Sequence, residues 1–328
     1  MQSLFSPPAS GPATVVVLGT GGTIAGTAAD ATDNIGYVAA QVGVDTLVGS
    51  LRGRSRGAVE TEQVAQADSR NMSHAIWRTL ALRVAAHLAR PEVCGVVVTH
   101  GSDTLEETAY FLHRVLAPGK PVVLTAAMRP ATSLQADGPQ NLVDAITLAR
   151  QPGALGVTVV ANGMAWVGVE VRKSHTYRLD AFGAGDAGPL ALLEEGRVRL
   201  LRPWPQAKPL GVAVLARDPA VQPWPQVEIV TSHGGADGRI VDLLMDAGVP
   251  GIVVAATGNA TVHQDLEAAL CRAQERGVAL LLATRVSAGP VLTHDEASLL
   301  PVASGLTPAQ ARVELLLLLL LQQLASGP

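Results

Sequence analysis

The stretch VVVTHGSDTLEETAYF, residues 96–111, passes from a run of valines through a polar cluster into a helical pattern. Similar apolar runs occur at residues 14–20, 121–128 and 155–163. An alternation of helices with strands that are apolar on both faces is typical of a doubly wound parallel sheet. Ligands of such sheets bind beyond the carboxyl ends of the strands, so the polar cluster at residues 99–104 marks a candidate site.

A change of composition between residues 202 and 226 divides the chain. Prolines cluster there in RPWPQAKP and QPWPQ, which is typical of a linker between domains. Strands and helices alternate again after it, beginning with VEIVTS. We therefore predict an α/β protein with a larger N-terminal domain (residues 1–201) built on a doubly wound, mostly parallel sheet. The linker (residues 202–226) and a smaller C-terminal α/β domain (residues 227–328) follow it.

The composition excludes several classes of protein. Of 328 residues, 48% are hydrophobic and 16% are charged, which indicates a globular chain with a large core. The net charge of -4 argues against nucleic acid as a partner. Cys94 and Cys271 stand far apart, outside any metal-ligand spacing, and we expect no metal and no cofactor.

The sequence also bears on the location of the protein. The N-terminal stretch MQSLFSPPASGPAT lacks the basic start and the apolar core of a signal peptide. The longest apolar run, at residues 315–321, is far shorter than the ~20 residues of a membrane span. We therefore expect a cytoplasmic protein that does not enter membranes, or a periplasmic one if a leader has been removed.

Two polar motifs reach the expected ligand edge of the sheet. In LGTGGTIAG, Thr23 follows Gly21 and Gly22, and the motif fits neither the dinucleotide nor the P-loop pattern. We interpret these glycines as residues that let the backbone approach a small ligand and present Thr23. In HGSDTLEE, the T-x-x-E spacing predicts a capping box between Thr104 and Glu107.

Ser102 and Asp103 precede that box and are free for chemistry. A hydroxyl needs help to act as a nucleophile or a proton relay, because it holds its proton at neutral pH. A neighbouring carboxylate can hold an ammonium group in place, and that group, once deprotonated, can take the proton of the hydroxyl. The residue pattern therefore favours a site built from hydroxyls, a carboxylate and an amine.

Several long motifs occur in one order along the chain: GTGGTIAG, SRNMS, THGSDTLEETAYFL, AAMRPATSLQADGPQNL, VRKSHT, AATGNAT and VASGLTPAQAR. In this order they resemble the bacterial-type L-asparaginases and glutaminase-asparaginases. The resemblance implies hydrolysis of L-asparagine to L-aspartate and ammonia through an acyl-enzyme intermediate. Alternatives are a glutaminase-asparaginase with a broader range of amides, and a homologue that binds an amino acid but has lost turnover.

The resemblance also implies roles for residues of the N-terminal domain. Thr23 matches the family's nucleophile, and Tyr37 matches the tyrosine that closes over the substrate and helps to activate that nucleophile. Ser102, Asp103 and Lys173 match a relay of hydroxyl, carboxylate and amine.

Substrate binding is expected to involve both domains. Ser69 matches the residue that binds the α-carboxylate of the substrate, Asp103 would meet its α-amino group, and Gly22 lets the backbone approach it. Asn259, Thr261 and Glu296 match residues that a neighbouring subunit contributes. The resemblance thus implies a homo-oligomer with shared active sites, in the family a tetramer built from two dimers.

Three positions depart from the family pattern. Ser102 stands where the family has threonine, and the loss of β-branching leaves the hydroxyl less constrained. Arg70 replaces an uncharged residue, and its guanidinium either contacts an α-carboxylate or points to solvent. Thr261 replaces an asparagine of some relatives, which bears on how glutamine fits.

Overall fold

The computed structural model of the chain describes residues 14–51, 57–116, 118–206, 208–292 and 300–325. Backbone contacts divide the chain into two units, one ending at Val212 and the other beginning at Ala213. Each unit has its own sheet and its own hydrophobic core.

The first unit contains ten strands among its described residues. These are β1 (Thr14–Gly21), β2 (Val59–Ala67), β3 (Val93–Thr99), β4 (Val122–Thr125), β5 (Val157–Ala161), β6 (Met164–Val167), β7 (Arg172–Lys173), β8 (Phe182–Gly183), β9 (Ala191–Glu194) and β10 (Arg197–Leu200). Its helices are α1 (Val44–Gly49), α2 (His74–Leu88), α3 (Leu105–Val115) and α4 (Gly138–Ala149).

Eight of these strands form one sheet in the order β10-β9-β6-β5-β4-β3-β1-β2. The strands from β5 to β2 in that order run parallel, whereas β6, β9 and β10 are antiparallel to their neighbours. The parallel part has the strand order of a doubly wound sheet, and the predicted fold class is confirmed. The strand order reverses at β1, which lies between β2 and β3, so the carboxyl ends of β1 and β3 border the crevice where ligands of such folds bind.

The central strands form where their residues can be buried on both faces. All eight residues of β1 are buried, and so are six of the seven residues of β3. Strand β2 is not evident from the sequence, because the stretch VETEQVAQA is polar and its residues are only partly buried. It lies at the edge of the sheet, where Glu62 pairs with Arg83 of α2 and Glu60 pairs with Arg90. Charges on an edge strand oppose unwanted pairing with another chain.

The second unit repeats the alternation on a smaller scale. Among its described residues, three parallel strands pair in the order β11 (Val227–Thr231), β12 (Gly251–Ala256) and β13 (Ala279–Thr284). Its helices are α5 (Arg239–Asp246), α6 (Gln264–Glu275) and α7 (Pro308–Ala325). Helix α7 starts with the predicted capping box, in which Gln310 N donates to Thr307 Oγ1 (3.2 Å) and Thr307 N donates to Gln310 Oε1 (3.0 Å). None of the helices in the described residues is long and apolar enough to cross a membrane.

Candidate active site

Two glycines bring the turns after β1 and β3 into contact. Gly22 has a φ of 83°, and a Cβ placed on it would lie 2.3 Å from Gly101 Cα. A Cβ on Gly101 would in turn lie 2.4 Å from Ser69 Oγ. A side chain at Gly22 would meet backbone atoms, and one at Gly101 would displace Ser69, so both positions favour glycine. Their contact brings the backbone beside Thr23 against the backbone beside Ser102.

Thr23 begins a short 3-10 turn and is buried. Its Oγ1 lies 2.7 Å from Tyr37 Oη, a contact in which either oxygen can donate. The loop that carries Tyr37 returns over this turn because Thr27 and Val38 exchange two backbone hydrogen bonds of 2.9 Å. The structure thus brings together the two residues predicted to start the reaction.

Residues 128–137 also form hydrogen bonds with the loop that carries Tyr37. Ser133 Oγ donates to Asn34 Oδ1 (2.6 Å). Thr132 Oγ1 accepts the backbone N–H of Ala28 (2.9 Å). The tyrosine is therefore held by a loop that is anchored at several points along its length.

Arg129 and Asp137 shape that segment through contacts within it and with Tyr177. Asp137 accepts the backbone N–H groups of Met128 (3.0 Å) and Arg129 (2.9 Å), and burial raises the pKa of its carboxyl. The guanidinium of Arg129 lies 4.0 Å from the ring centroid of Tyr177 and donates to the carbonyl of that residue (2.8 Å).

Lys173, Ser102 and Asp103 form a second hydrogen-bonded group. Lys173 Nζ donates to Ser102 Oγ (2.9 Å) and to Asp103 Oδ1 (2.6 Å). The side chain of Asp103 is 57% exposed, whereas that of Lys173 is 19% exposed. Because water reaches the carboxylate, the ion pair adds little to the stability of the fold, and its main effect is to orient the ammonium group.

His100 supports the turn that follows β3. It is fully buried, and its Nδ1 lies 2.7 Å from the carbonyl oxygen of Gly101. Since a carbonyl only accepts, Nδ1 carries the proton, and Nε2 accepts from Thr108 Oγ1 (2.9 Å), which accepts in turn from Trp77 Nε1 (2.8 Å). Burial lowers the pKa of His100 to about 4, so the ring stays neutral and supports the turn.

Ser69 lies against the same turn and is buried. Its Oγ accepts the backbone N–H of Asp103 (3.3 Å), and its carbonyl accepts from Thr104 Oγ1 (2.8 Å). Thr104 is the N-cap residue of α3, as predicted, but the predicted capping bond from its side chain is absent. The hydroxyl donates its hydrogen to the Ser69 carbonyl, and in this orientation its oxygen accepts no N–H from the start of α3.

Arg70 points away from this cluster. Its Nε pairs with Asp68 Oδ2 at 3.0 Å, and its side chain is 74% exposed. Asp68 also accepts the backbone N–H of Arg70 (3.1 Å), which fixes the start of the short turn that contains Ser69.

An open cleft of about 400 Å³ adjoins the lysine. It is lined by Asp103, Lys173, Ser174, His175 and Thr176. Its size is at the lower end of the range for small-molecule pockets, which suits an amino acid. Among the described residues, no group of three His, Cys, Asp or Glu side chains could hold a metal ion.

The residues predicted to serve a neighbouring subunit lie in the second unit. Asn259 pairs with the backbone of Leu292 through both ends of its amide, at 2.6 and 2.7 Å. Thr261 Oγ1 lies 2.8 Å from Thr257 Oγ1. Glu296 lies outside the described residues.

Sequence reasoning does not identify Glu106, which accepts the backbone N–H of Lys173 at 2.7 Å. The sequence signal points to its neighbour Glu107, through the T-x-x-E spacing. Nothing in the local sequence shows that the acceptor for a residue 67 positions further along the chain would be Glu106.

Two family models match the chain. The model described as "Asparaginase, N-terminal" matches residues 14–206, and the model described as "Glutaminase/Asparaginase C-terminal domain" matches residues 226–325. Between them lies most of the proline-rich segment.

Individual proteins show the same likeness. The chain is 36% identical to L-asparaginase 2 of Escherichia coli, over 93% of this chain and 88% of that protein. It is 34% identical to the glutaminase-asparaginase of Pseudomonas fluorescens biotype A, over 92% of this chain and 84% of that protein. The solved structure of a probable cytoplasmic L-asparaginase from Campylobacter jejuni is 35% identical, with a TM-score of 0.86 over 94% of this chain and 95% of that one.

Proposed function

The chain belongs to the asparaginase family and is an amidohydrolase, and from this premise we propose that Thr23 is the nucleophile with which it converts L-asparagine to L-aspartate and ammonia. One observation carries the proposal. Thr23 Oγ1 lies 2.7 Å from Tyr37 Oη, and the turn that holds it touches the turn that holds Ser102 and Asp103. The nucleophile and the relay thus meet at the switch point of the sheet.

The first step forms an ester. Thr23 Oγ1 attacks the carbon of the side-chain amide, and the hydrogen bond to Tyr37 gives the hydroxyl proton a path away from the attacking oxygen. The C–N bond then breaks. In the net balance the proton lost by Thr23 ends on the leaving nitrogen, which departs as ammonia and leaves an aspartyl ester on Thr23.

The second step regenerates the enzyme. Water attacks the ester carbon, its hydroxide stays on aspartate and its proton returns to the oxygen of Thr23. Because Lys173 Nζ donates to Ser102 Oγ, the hydroxyl hydrogen of Ser102 is left to face the leaving nitrogen or the incoming water. We assign to Lys173 and Ser102 the transfer of protons at that side, with Asp103 orienting the lysine.

The charges of an amino acid match Asp103, which lines the cleft, and Ser69, which lies against the same turn. Asp103 binds Lys173 through Oδ1 and is more than half exposed, so its carboxylate can also receive the α-amino group. Ser69 Oγ accepts from the backbone of Asp103, which leaves its own hydrogen for the α-carboxylate. The ion pair between Arg70 and Asp68 favours a supporting role for Arg70 over direct binding.

Thr23→Ala and Thr23→Ser test the nucleophile. We expect no ammonia release from L-asparagine with Thr23→Ala and partial activity with Thr23→Ser, since serine keeps the oxygen. Wild-type-like activity of Thr23→Ala would reject the assignment. A wild-type protein that binds L-asparagine but releases no ammonia would instead favour the homologue that has lost turnover.

The preference between asparagine and glutamine is a separate question. The name of the Pseudomonas relative supports a broader enzyme as the alternative. One methylene in a pocket changes the binding free energy by only ~1–3 kcal/mol, so residue types do not decide it. Steady-state rates with L-asparagine, L-glutamine and D-asparagine measure the preference. A kcat/KM for glutamine close to that for asparagine would establish the alternative.

We also propose that the active site is shared between subunits of a homo-oligomer, a tetramer of two dimers, with Asn259, Thr261 and Glu296 donated by the neighbour. The family resemblance supports this arrangement. Complementation tests it: mixed oligomers of Thr23→Ala and Asn259→Ala chains contain some sites with both native residues. We expect each variant to be impaired alone and the mixture to recover activity. Mixed oligomers that stay as weak as their parents would exclude the shared site.

A cytoplasmic location is the last part of the proposal. The name of the Campylobacter relative supports it. Fractionation of cells that express the native gene tests it, with activity expected in the cytoplasmic fraction; activity released with the periplasm would contradict it.

A further inference from the structure

The lysine of the relay sits on an element that is not part of the main sheet. Lys173 ends β7, a strand of two residues that pairs with the equally short β8. Among the described strands, neither pairs with the eight-stranded sheet. The position of Lys173 relative to Ser102 therefore depends on contacts other than a sheet ladder.

Glu106 supplies such a contact. Its Oε2 accepts the backbone N–H of Lys173 at 2.7 Å. A hydrogen bond to an ionised acceptor is shorter and stronger than one between neutral groups. Glu106 lies in the first turn of α3, only a few residues after Ser102 and Asp103.

We propose that Glu106 is a positioning residue for the relay, an inference that rests on the proposed role of Lys173. One continuous segment, from Ser102 to Glu106, holds the lysine at both ends. Glu106 binds its backbone nitrogen, and Ser102 and Asp103 bind its Nζ. Because all three acceptors belong to one turn and one helix start, they move together, and the ammonium group keeps its place beside the hydroxyl.

A simpler role for Glu106 is the general one of a carboxylate at a helix N-terminus, where the helix dipole favours negative charge. Glu107 lies in the same turn and is the matched control, because its loss changes the charge of the helix start in the same way. Glu106 Oε2 accepts the backbone N–H of Lys173, and the test asks whether this bond matters for turnover. A comparison of Glu106 and Glu107 variants therefore separates the positioning of Lys173 from the stability of the helix.

The test compares Glu106→Ala, Glu106→Gln and Glu107→Ala by kcat, KM and Tm with L-asparagine. Displacing a catalytic group by about 1 Å costs up to about 100-fold in rate, so we expect kcat of Glu106→Ala to fall by about 10- to 100-fold with little change in KM. Glu106→Gln should recover most of this loss, because its amide oxygen still accepts the N–H of Lys173. Glu107→Ala should keep the wild-type kcat.

Three results would overturn the proposal: equal kcat values for the two alanine variants, a loss confined to Tm, or a Glu106→Gln variant as slow as Glu106→Ala. Lys173→Met shows whether the relay itself fails. If Lys173→Met retains activity, the proposed function of Lys173 is wrong. If it is inactive while Glu106→Ala is unimpaired, only the positioning role is wrong. Should Glu106→Ala not fold, Glu106→Gln with a kcat far below that of the wild type would still contradict the acceptor role.

Discussion

Ser102 shows how one contact can offset the loss of another constraint. A threonine at this position would be restricted at χ1 by its β-branching, and serine is not. In the structure, however, Ser102 is buried and its oxygen accepts from Lys173 Nζ at 2.9 Å. The lysine therefore fixes the hydroxyl that the side chain alone leaves free.

From this we predict that Ser102→Thr keeps or raises the turnover of L-asparagine, because threonine retains the oxygen and adds only a methyl group. Ser102→Ala, which removes the oxygen, should lower kcat by about 100-fold or more. Steady-state kinetics of the two variants measure the difference. A large loss in Ser102→Thr would show that the buried site has been rebuilt around serine.

At the residue scale, long sequence motifs predict the residues of the candidate site. Roles that depend on a single tertiary contact are not predicted. Thr23, Ser102 and Asp103 stand out in the sequence because each follows an apolar strand within a polar motif. Glu106 does not, because its partner is distant in the chain. The side-chain capping bond predicted for Thr104 is absent for the same reason, since its hydroxyl donates to Ser69.

At the scale of elements, the crossing of the turns after β1 and β3 builds the site. Gly22 and Gly101 allow these turns to touch, and Gly101 also lies against Ser69. The apolar runs of the central strands predict this crossing, because a doubly wound sheet brings the carboxyl ends of its strands to one edge. Strand β2 escapes prediction because its residues are largely polar, and the antiparallel strands escape it because they are only two to four residues long.

Gly101→Ala tests the close packing of the turns. The new methyl group would lie 2.4 Å from Ser69 Oγ and 2.6 Å from Ser69 Cβ, so Ser69 must move. We expect a loss of about 1–3 kcal/mol in the free energy of unfolding and a higher KM for L-asparagine. Gly49→Ala is the control, because nothing lies within 4 Å of its position and alanine is the better helix former. Equal stability of the two variants would contradict the packing argument.

For the whole molecule, buried ionisable groups link stability to pH. Burial lowers the pKa of His100 and of His113 to about 4. It raises the pKa of Asp144 to about 6. At pH values between the folded and unfolded pKa of a histidine, the unfolded chain binds the proton and the folded chain does not. Asp144 acts in the opposite sense. At pH values between its unfolded and folded pKa, the folded chain binds the proton and the unfolded chain does not.

His113 by itself gives the unfolded chain an excess of about one proton between about pH 4 and the pKa of a free histidine, about 6.5. We therefore predict that His113 lowers the free energy of unfolding by about 1.4 kcal/mol for each pH unit of acidification in this range. His113→Leu should reduce the slope of the unfolding free energy against pH in this range by about that amount and leave the dependence above pH 7 unchanged. Denaturant unfolding at several pH values measures it, and an unaltered slope in the variant would refute the assignment.

The order of motifs along the chain predicts the family and the α/β architecture, and both are confirmed. The assembly of subunits does not follow from the motifs. Whether Asn259 and Thr261 complete a neighbour's site depends on a surface formed by two chains, and no local pattern specifies such a surface. It remains a prediction for the complementation experiment.

The covalent intermediate is the most direct test of the central claim, the nucleophilic role of Thr23. Wild-type enzyme is mixed with L-asparagine and quenched in acid during turnover, and its peptides are then mapped by mass spectrometry. We predict an aspartyl ester on the peptide that contains Thr23, and its absence from Thr23→Ala treated in the same way. An ester on Ser102, or one that persists in Thr23→Ala, would contradict the account.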